Sequence, residues 1–214
     1  MRADDKGYKD SGRMMAGQDL VAAGYAGLAG IRILVKARRE ELEKRFAADY
    51  LEDLIAEDGG SVLLQNAKYR MSLGVAECEP AGEGGILSAV WSLTGACRLG
   101  VEFSLRRIPV RQGVIEISEL WGINPYRLYS GGCWLMASDN GGRLVHDLRE
   151  KGIAAAVIGG ITTGIARVIT DGGERSYLNR PQPDELERVF PDWKRESALN
   201  ALAENGGSDV IENG

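Results

Sequence analysis

The stretch GVAECEPAGEGGILSAVW, residues 74–91, changes character three times within a few turns of chain. A short apolar run closes on acids, Gly82, Gly84 and Gly85 make a bend, and an apolar helix begins at the glycine pair. That order is a strand-to-helix turn, the unit from which layered α/β domains are built. It lacks the lysine and hydroxyl of a phosphate-binding P-loop. Backbone N–H groups left open at the positive end of the helix can still receive an anion. Gly82, Glu83, Gly84 and Gly85 are therefore candidate phosphate- or ligand-binding residues. Glu77, Glu79 and Glu83 oppose an anion, and could instead hold a metal that bridges to phosphate. The other reading is a tight turn that needs glycine dihedrals, with Glu83 complementing the helix dipole.

Working outward, helices and strands alternate. QDLVAAG (18–24) predicts a strand, and LAGIRILVKARREELEKRF (28–46) one helix with Leu28, Ile31, Leu34 and Val35 along its buried face. Glu40 stands four residues before Lys44 and can pair with it. Asp49 to Leu73 reads as mostly helical, broken at EDGG (57–60). LGVAEC (73–78) predicts a strand and GGILSAVWSLTGAC (84–97) a helix. GVEFSL (100–105) alternates with period two, placing Val101, Phe103 and Leu105 on one side of a sheet. A helix closed by Gly122, a turn at NPYRL, a strand CWLMA and a helix ended by Gly152 follow. AAAVIG predicts a buried strand, and GIARVIT with RSYL a hairpin around DGGE. The expected class is α/β (α+β), a mixed sheet flanked by helices. Residues 1–16 read as a flexible leader, 17–196 as one domain and 197–214 as a flexible tail.

A chain of 214 residues with 44% hydrophobic content can build one proper core. Its 31 acidic against 26 basic residues give a formal charge of −5, a poor match to a nucleic-acid partner, which needs a basic footprint. The start has no apolar core of a secretory signal, and no stretch approaches the roughly 20 apolar residues that span a bilayer. A cytoplasmic protein without a membrane partner is expected. Cys78, Cys97 and Cys133 are widely spaced and, with His146 the sole histidine, give neither a zinc pattern nor a disulfide framework. Reduced, mostly buried thiols are expected, and no metal site is assigned.

Three other features invite chemistry. GYAGLAG (24–30) is not a dinucleotide fingerprint, and close helix-on-sheet packing explains it as well. RRIPVRQ (106–112) gathers Arg106, Arg107 and Arg111, which suits phosphate or carboxylate recognition or else a solvated strand end. Arg111 joins the candidate ligand residues. His146 reads as an exposed helix histidine, and no G-x-S-x-G nucleophile motif is present.

Four runs carry a family resemblance: GQDLVAAGYAGLAGIRILVKARREEL, GVAECEPAGEGGILSAVWSL, IPVRQGVIEISELWGINPYRLYSGGCWLMA and LREKGIAAAVIGGITTG. In this order the chain resembles the C-terminal domain of the aminoimidazole ribonucleotide (AIR) synthase superfamily, nearest to its hydrogenase-maturation-factor branch. The resemblance implies a mixed sheet flanked by helices. It also implies an N-terminal domain elsewhere that supplies most ATP and magnesium ligands and the dimer interface. The cofactor is otherwise unknown; ATP and magnesium enter by resemblance only. Relatives carry His-Asp, one residue, Thr, one residue and Gly-Gly where this chain has Glu79, Pro80, Gly82 and Gly84-Gly85. The turn is kept, its Asp and Thr are not, and proline offers no N–H. The maturation enzymes carry their substrate group on a C-terminal cysteine, whereas this chain ends VIENG.

The expectation is a stand-alone domain that contributes Gly84, Gly85 and Arg111 to a ligand site, with no catalytic residue identified. It would work either as half of an ATP-dependent enzyme, beside a separate N-terminal-half protein, or as a binding, regulatory or structural module. A homo-oligomer or a partner chain is expected in every case, because a domain cut from its usual partner exposes apolar surface.

Overall fold

The computed structural model describes residues 14–56 and 60–195. Seven strands form one sheet: β1 (Asp19–Ala23), β2 (Glu77–Pro80), β3 (Gly100–Phe103), β4 (Trp134–Ser138), β5 (Ala155–Thr162), β6 (Arg167–Asp171) and β7 (Glu174–Tyr177). Their order is β2-β4-β1-β5-β3-β6-β7, and every pairing is antiparallel except β3 with β6. The sheet is mixed, as expected.

Strand alternation sends residues to two cores. Leu20, Ala22, Val101, Phe103, Leu135 and Ala137 face helix α6 (Gly85–Cys97), which answers with Ile86, Val90 and Leu93. Val21, Ala23 and Met136 face the other way, onto Leu144 and Leu148 of α8 (Gly141–Arg149) and Leu64 of α4 (Gly60–Gln65). A third core, built mainly from helices, joins α1 (Leu28–Ala37), α2 (Arg39–Leu42), α3 (Ala48–Ile55), α7 (Gln112–Trp121) and α9 (Leu186–Val189) with Ile123 and Leu128 from the intervening loops. Between α4 and β2 lies α5 (Ala67–Ser72).

Several expectations shift at their ends. The helix expected over 28–46 stops at Ala37, and Arg38 at φ −122 and ψ 31 starts a second piece. Leu28, Ile31, Leu34 and Val35 are buried as read, but the next position on that stripe is Arg38, so the chain turns to bury Leu42 instead. Glu40 and Lys44 do not pair; Arg39 bridges Glu43 and Glu52 at 2.6 Å each. The strand read at 73–78 begins only at Glu77, because Leu73 caps α5 and the ladder starts where β4 is available. Pro80 ends this edge strand, where a missing donor costs nothing. Val101 and Phe103 share one face, whereas Leu105 opens a 3-10 turn, Leu105–Arg107, and packs on the same core. Met14, placed in the leader by sequence, is 4% exposed and belongs to the core beneath α6. The expected tail from 197 lies outside the described residues.

Candidate functional site

Glycine dihedrals make the bend at Gly82–Gly85. Gly84 sits at φ 75 and Gly85 at φ 66, in the left-handed region that side chains disfavour. The Gly85 N–H bonds back to the Gly82 carbonyl at 3.1 Å, and the Gly82 carbonyl also accepts from Ser130 N–H at 3.1 Å. Gly85 needs glycine twice over. A Cβ there would lie 2.8 Å from both the Arg127 carbonyl carbon and the Leu128 oxygen, and closer still to the Tyr126 oxygen. The turn is thus pressed onto the loop Tyr126–Ser130, whose Ser130 hydroxyl accepts from Gly27 N–H and donates to the Leu128 carbonyl, both at 2.8 Å.

The anion position that the sequence leaves open at Gly84 is taken by a carboxylate of the same chain. Asp184 Oδ2 accepts the Gly84 N–H at 2.7 Å, while Oδ1 accepts from Tyr129 N–H at 3.1 Å and Leu186 N–H at 2.8 Å. Asp184 is 1% exposed. Burial pushes its carboxyl above the usual range, the three N–H donors pull the other way, and Glu83 adds repulsion. Glu83 itself points to solvent and pairs with Lys194, which also reaches Glu187 at 2.9 Å. Trp193 lies against Tyr129 with ring centroids 5.1 Å apart.

Arg111 does not join the glycine turn. It caps α7, and its guanidinium pairs with the Asp53 carboxylate at 2.6 Å. Its surroundings are a recess of about 290 Å³ shared with Tyr50, Gln112 and Glu116, and no glycine-turn residue lines it. Tyr50 donates to Glu116 at 2.7 Å, and Gln112 donates to the same carboxylate at 2.6 Å, so this network is internally satisfied. Burial and the Glu116 carboxylate push the Tyr50 phenol up to about 12. Arg106 and Arg107 are exposed on the 3-10 turn.

The metal reading of Glu77, Glu79 and Glu83 is not supported. Among the described residues no three His, Cys, Asp or Glu side chains converge as ligands. Burial, then the charge of Glu77, raises the Glu79 carboxyl. The three thiols are free; Cys133 is buried, with its thiol pushed up to about 12, while Cys78 and Cys97 are half-buried and raised by burial. His146 is exposed on α8 as read.

Sequence reasoning missed Asp184, Lys194 and Trp193. Asp two residues before a short helix is an N-terminal capping signal, which could have located Asp184 locally. Its bonds to Gly84, 100 positions away, leave no such trace. As it stands, the turn does not fit an external phosphate. Its Gly84 amide holds a carboxylate, its Gly85 amide bonds within the turn, and Pro80 has no donor.

No protein-family model matches the chain, and no curated protein does either. Solved structures do match. The hydrogenase maturation protein HypE of E. coli superposes with a TM-score of 0.67 at 24% identity, over 84% of this chain and 55% of that one. A HypE structure in complex with ATP gives 0.59 at 18% identity, over 83% and 55%. Thiamine-monophosphate kinase from Stenotrophomonas maltophilia gives 0.57 at 17% identity, over 77% and 52%. The chain thus spans about half the length of these proteins. At such identities the likeness is one of fold, and this chain has the AIR synthase-like α/β fold that its sequence resemblance implied.

Proposed function

We propose that this chain is a ligand- or partner-binding half of an ATP-dependent enzyme of the AIR synthase-like kind, not a complete catalyst by itself. The observation that carries the reading is the Asp184 carboxylate seated on the Gly84 amide in a turn whose fold-mates include an ATP-bound protein. Phosphoryl chemistry needs metal-held phosphates and a positioned nucleophile. The described residues offer no three-ligand metal cluster, and Arg111 is neutralised by Asp53 away from the turn. In this reading Gly82, Glu83, Gly84 and Gly85 form the contact face, and ATP with magnesium is held chiefly by a second polypeptide. Exposed Val62 and Leu63 on α4 and Met71 on α5 support a covered surface.

One experiment separates this from a purely structural module. The purified chain and any native complex that contains it are compared by sedimentation velocity and by MgATP hydrolysis. A complex that hydrolyses ATP, with the chain alone inactive, is the expected result. Turnover by the chain alone would refute the half-enzyme reading. A homodimer as the sole assembly, inert toward ATP, would favour the structural module.

A further inference from the structure

The segment Pro181–Arg195 crosses the glycine turn, with the Gln182 carbonyl and Asp184 beside Gly84, and its fastenings differ in kind. Asp184 is an anion buried to 1% exposure, held by three backbone N–H groups, with no ion pair among the described residues. Lys194 ties the same segment to Glu83 at the surface, where a charge pair adds little. Trp193 is 6% exposed against Tyr129, and its indole N–H has no hydrogen-bond partner among the described residues. An unpaired carboxylate and an orphaned indole N–H both carry a desolvation cost only while the segment is closed. Closure therefore hangs on the fit of Asp184 to its three amides and on the packing of Leu186 and Trp193.

We propose that Asp184 is an intramolecular latch. Its carboxylate occupies the anion position at Gly84 and holds the strap Pro181–Arg195 over the glycine turn, so an outside ligand reaches the turn only when the strap lifts. This rests on reading the turn as a contact face. The latch itself concerns only how the strap is fastened. Because two of the three amides belong to the turn and to the loop beneath it, releasing Asp184 frees Gly84 and Tyr129 together.

The test is amide hydrogen exchange on the full chain, comparing wild type, Asp184→Asn and Lys194→Met, with and without inorganic phosphate. In wild type, Gly84 and Tyr129 exchange slowly and phosphate changes nothing. In Asp184→Asn both are expected to exchange about tenfold faster or more, together with Trp193, while Val90 and Leu93 within α6 keep the wild-type rate. Lys194→Met shifts the same amides in the same direction by less. Phosphate that slows Gly84 again in Asp184→Asn supports both the latch and the contact-face reading. Acceleration without any phosphate effect supports the latch and refutes the contact-face reading. Unchanged Gly84 exchange in folded Asp184→Asn, or wild type protected by phosphate as strongly as the variant, overturns the latch. Should Asp184→Asn fail to fold, Asp184→Glu takes its place, since one added methylene misplaces the carboxylate on its three amides, and an unchanged Gly84 rate in that folded variant overturns the latch equally.

Discussion

Replacing Gly85 by alanine should damage the fold far more than the same change at a glycine of equal backbone conformation. Gly85 lies at φ +66 and Gly122, which closes α7, at φ +59. Holding alanine in that left-handed region costs about 1–2 kcal/mol at either position. At Gly122 nothing else opposes the new methyl, since no heavy atom lies within 4 Å. At Gly85 the methyl would meet backbone of Tyr126, Arg127 and Leu128, atoms that cannot rotate away as a side-chain end can. Forcing extra volume into such packing costs a further ~1–3 kcal/mol. The expected totals are thus ~2–5 kcal/mol for Gly85→Ala and ~1–2 kcal/mol for Gly122→Ala, against a typical domain stability of about 5–15 kcal/mol. Urea denaturation followed by circular dichroism reads the difference as a lower midpoint, by about 1 M for each 1–3 kcal/mol. Equal midpoint shifts in the two variants would refute the close approach of the glycine turn to the Tyr126–Ser130 loop.

Other expectations follow from the same geometry. Leu34→Ala, at a fully buried position of α1, should cost about 2–5 kcal/mol in the same denaturation assay, and a loss under 1 kcal/mol would contradict its place in the helical core. Tyr50 should ionise at about 12 in the folded protein, against an ordinary 10.0, when followed by ultraviolet absorbance. The folded state then keeps a proton that the unfolded chain loses, so stability falls as pH rises from 10 toward 12. Glu116→Gln should bring the Tyr50 transition part of the way back, since burial, the larger cause, remains. Cys133 should alkylate more slowly than Cys78 and Cys97 in native buffer, and equal rates would contradict its burial.

Local regularities made much of this fold legible. The period-two run around Val101, the stripe from Leu28 to Val35 and the glycine ends of α6 and α7 each declare an element within a few residues. The hairpin of β6 and β7 was equally plain, because Gly172 and Gly173 sit between two short runs. Boundaries were less clear where tertiary demands override the pattern. Arg38 breaks a continuous helical signal because Leu42 must turn inward, and β2 starts late because Leu73 still caps α5 and the antiparallel β4, against which β2 pairs, ends at Ser138. The site was legible as a shape and not as chemistry. Gly82–Gly85 read as an anion turn, but what fills it comes from Asp184, in a segment whose proline-rich, polar composition gave little periodicity. Arg111 looked like a phosphate ligand because nothing in sequence links it to Asp53, 58 positions earlier.

Calorimetric titration of MgATP into the purified chain alone tests the central claim most directly. With Asp184 on the Gly84 amide and Arg111 paired to Asp53, no saturable heat is expected up to millimolar nucleotide. Saturable binding by the wild-type chain, weakened by Arg111→Ala, would contradict it and place a working nucleotide site in this chain by itself.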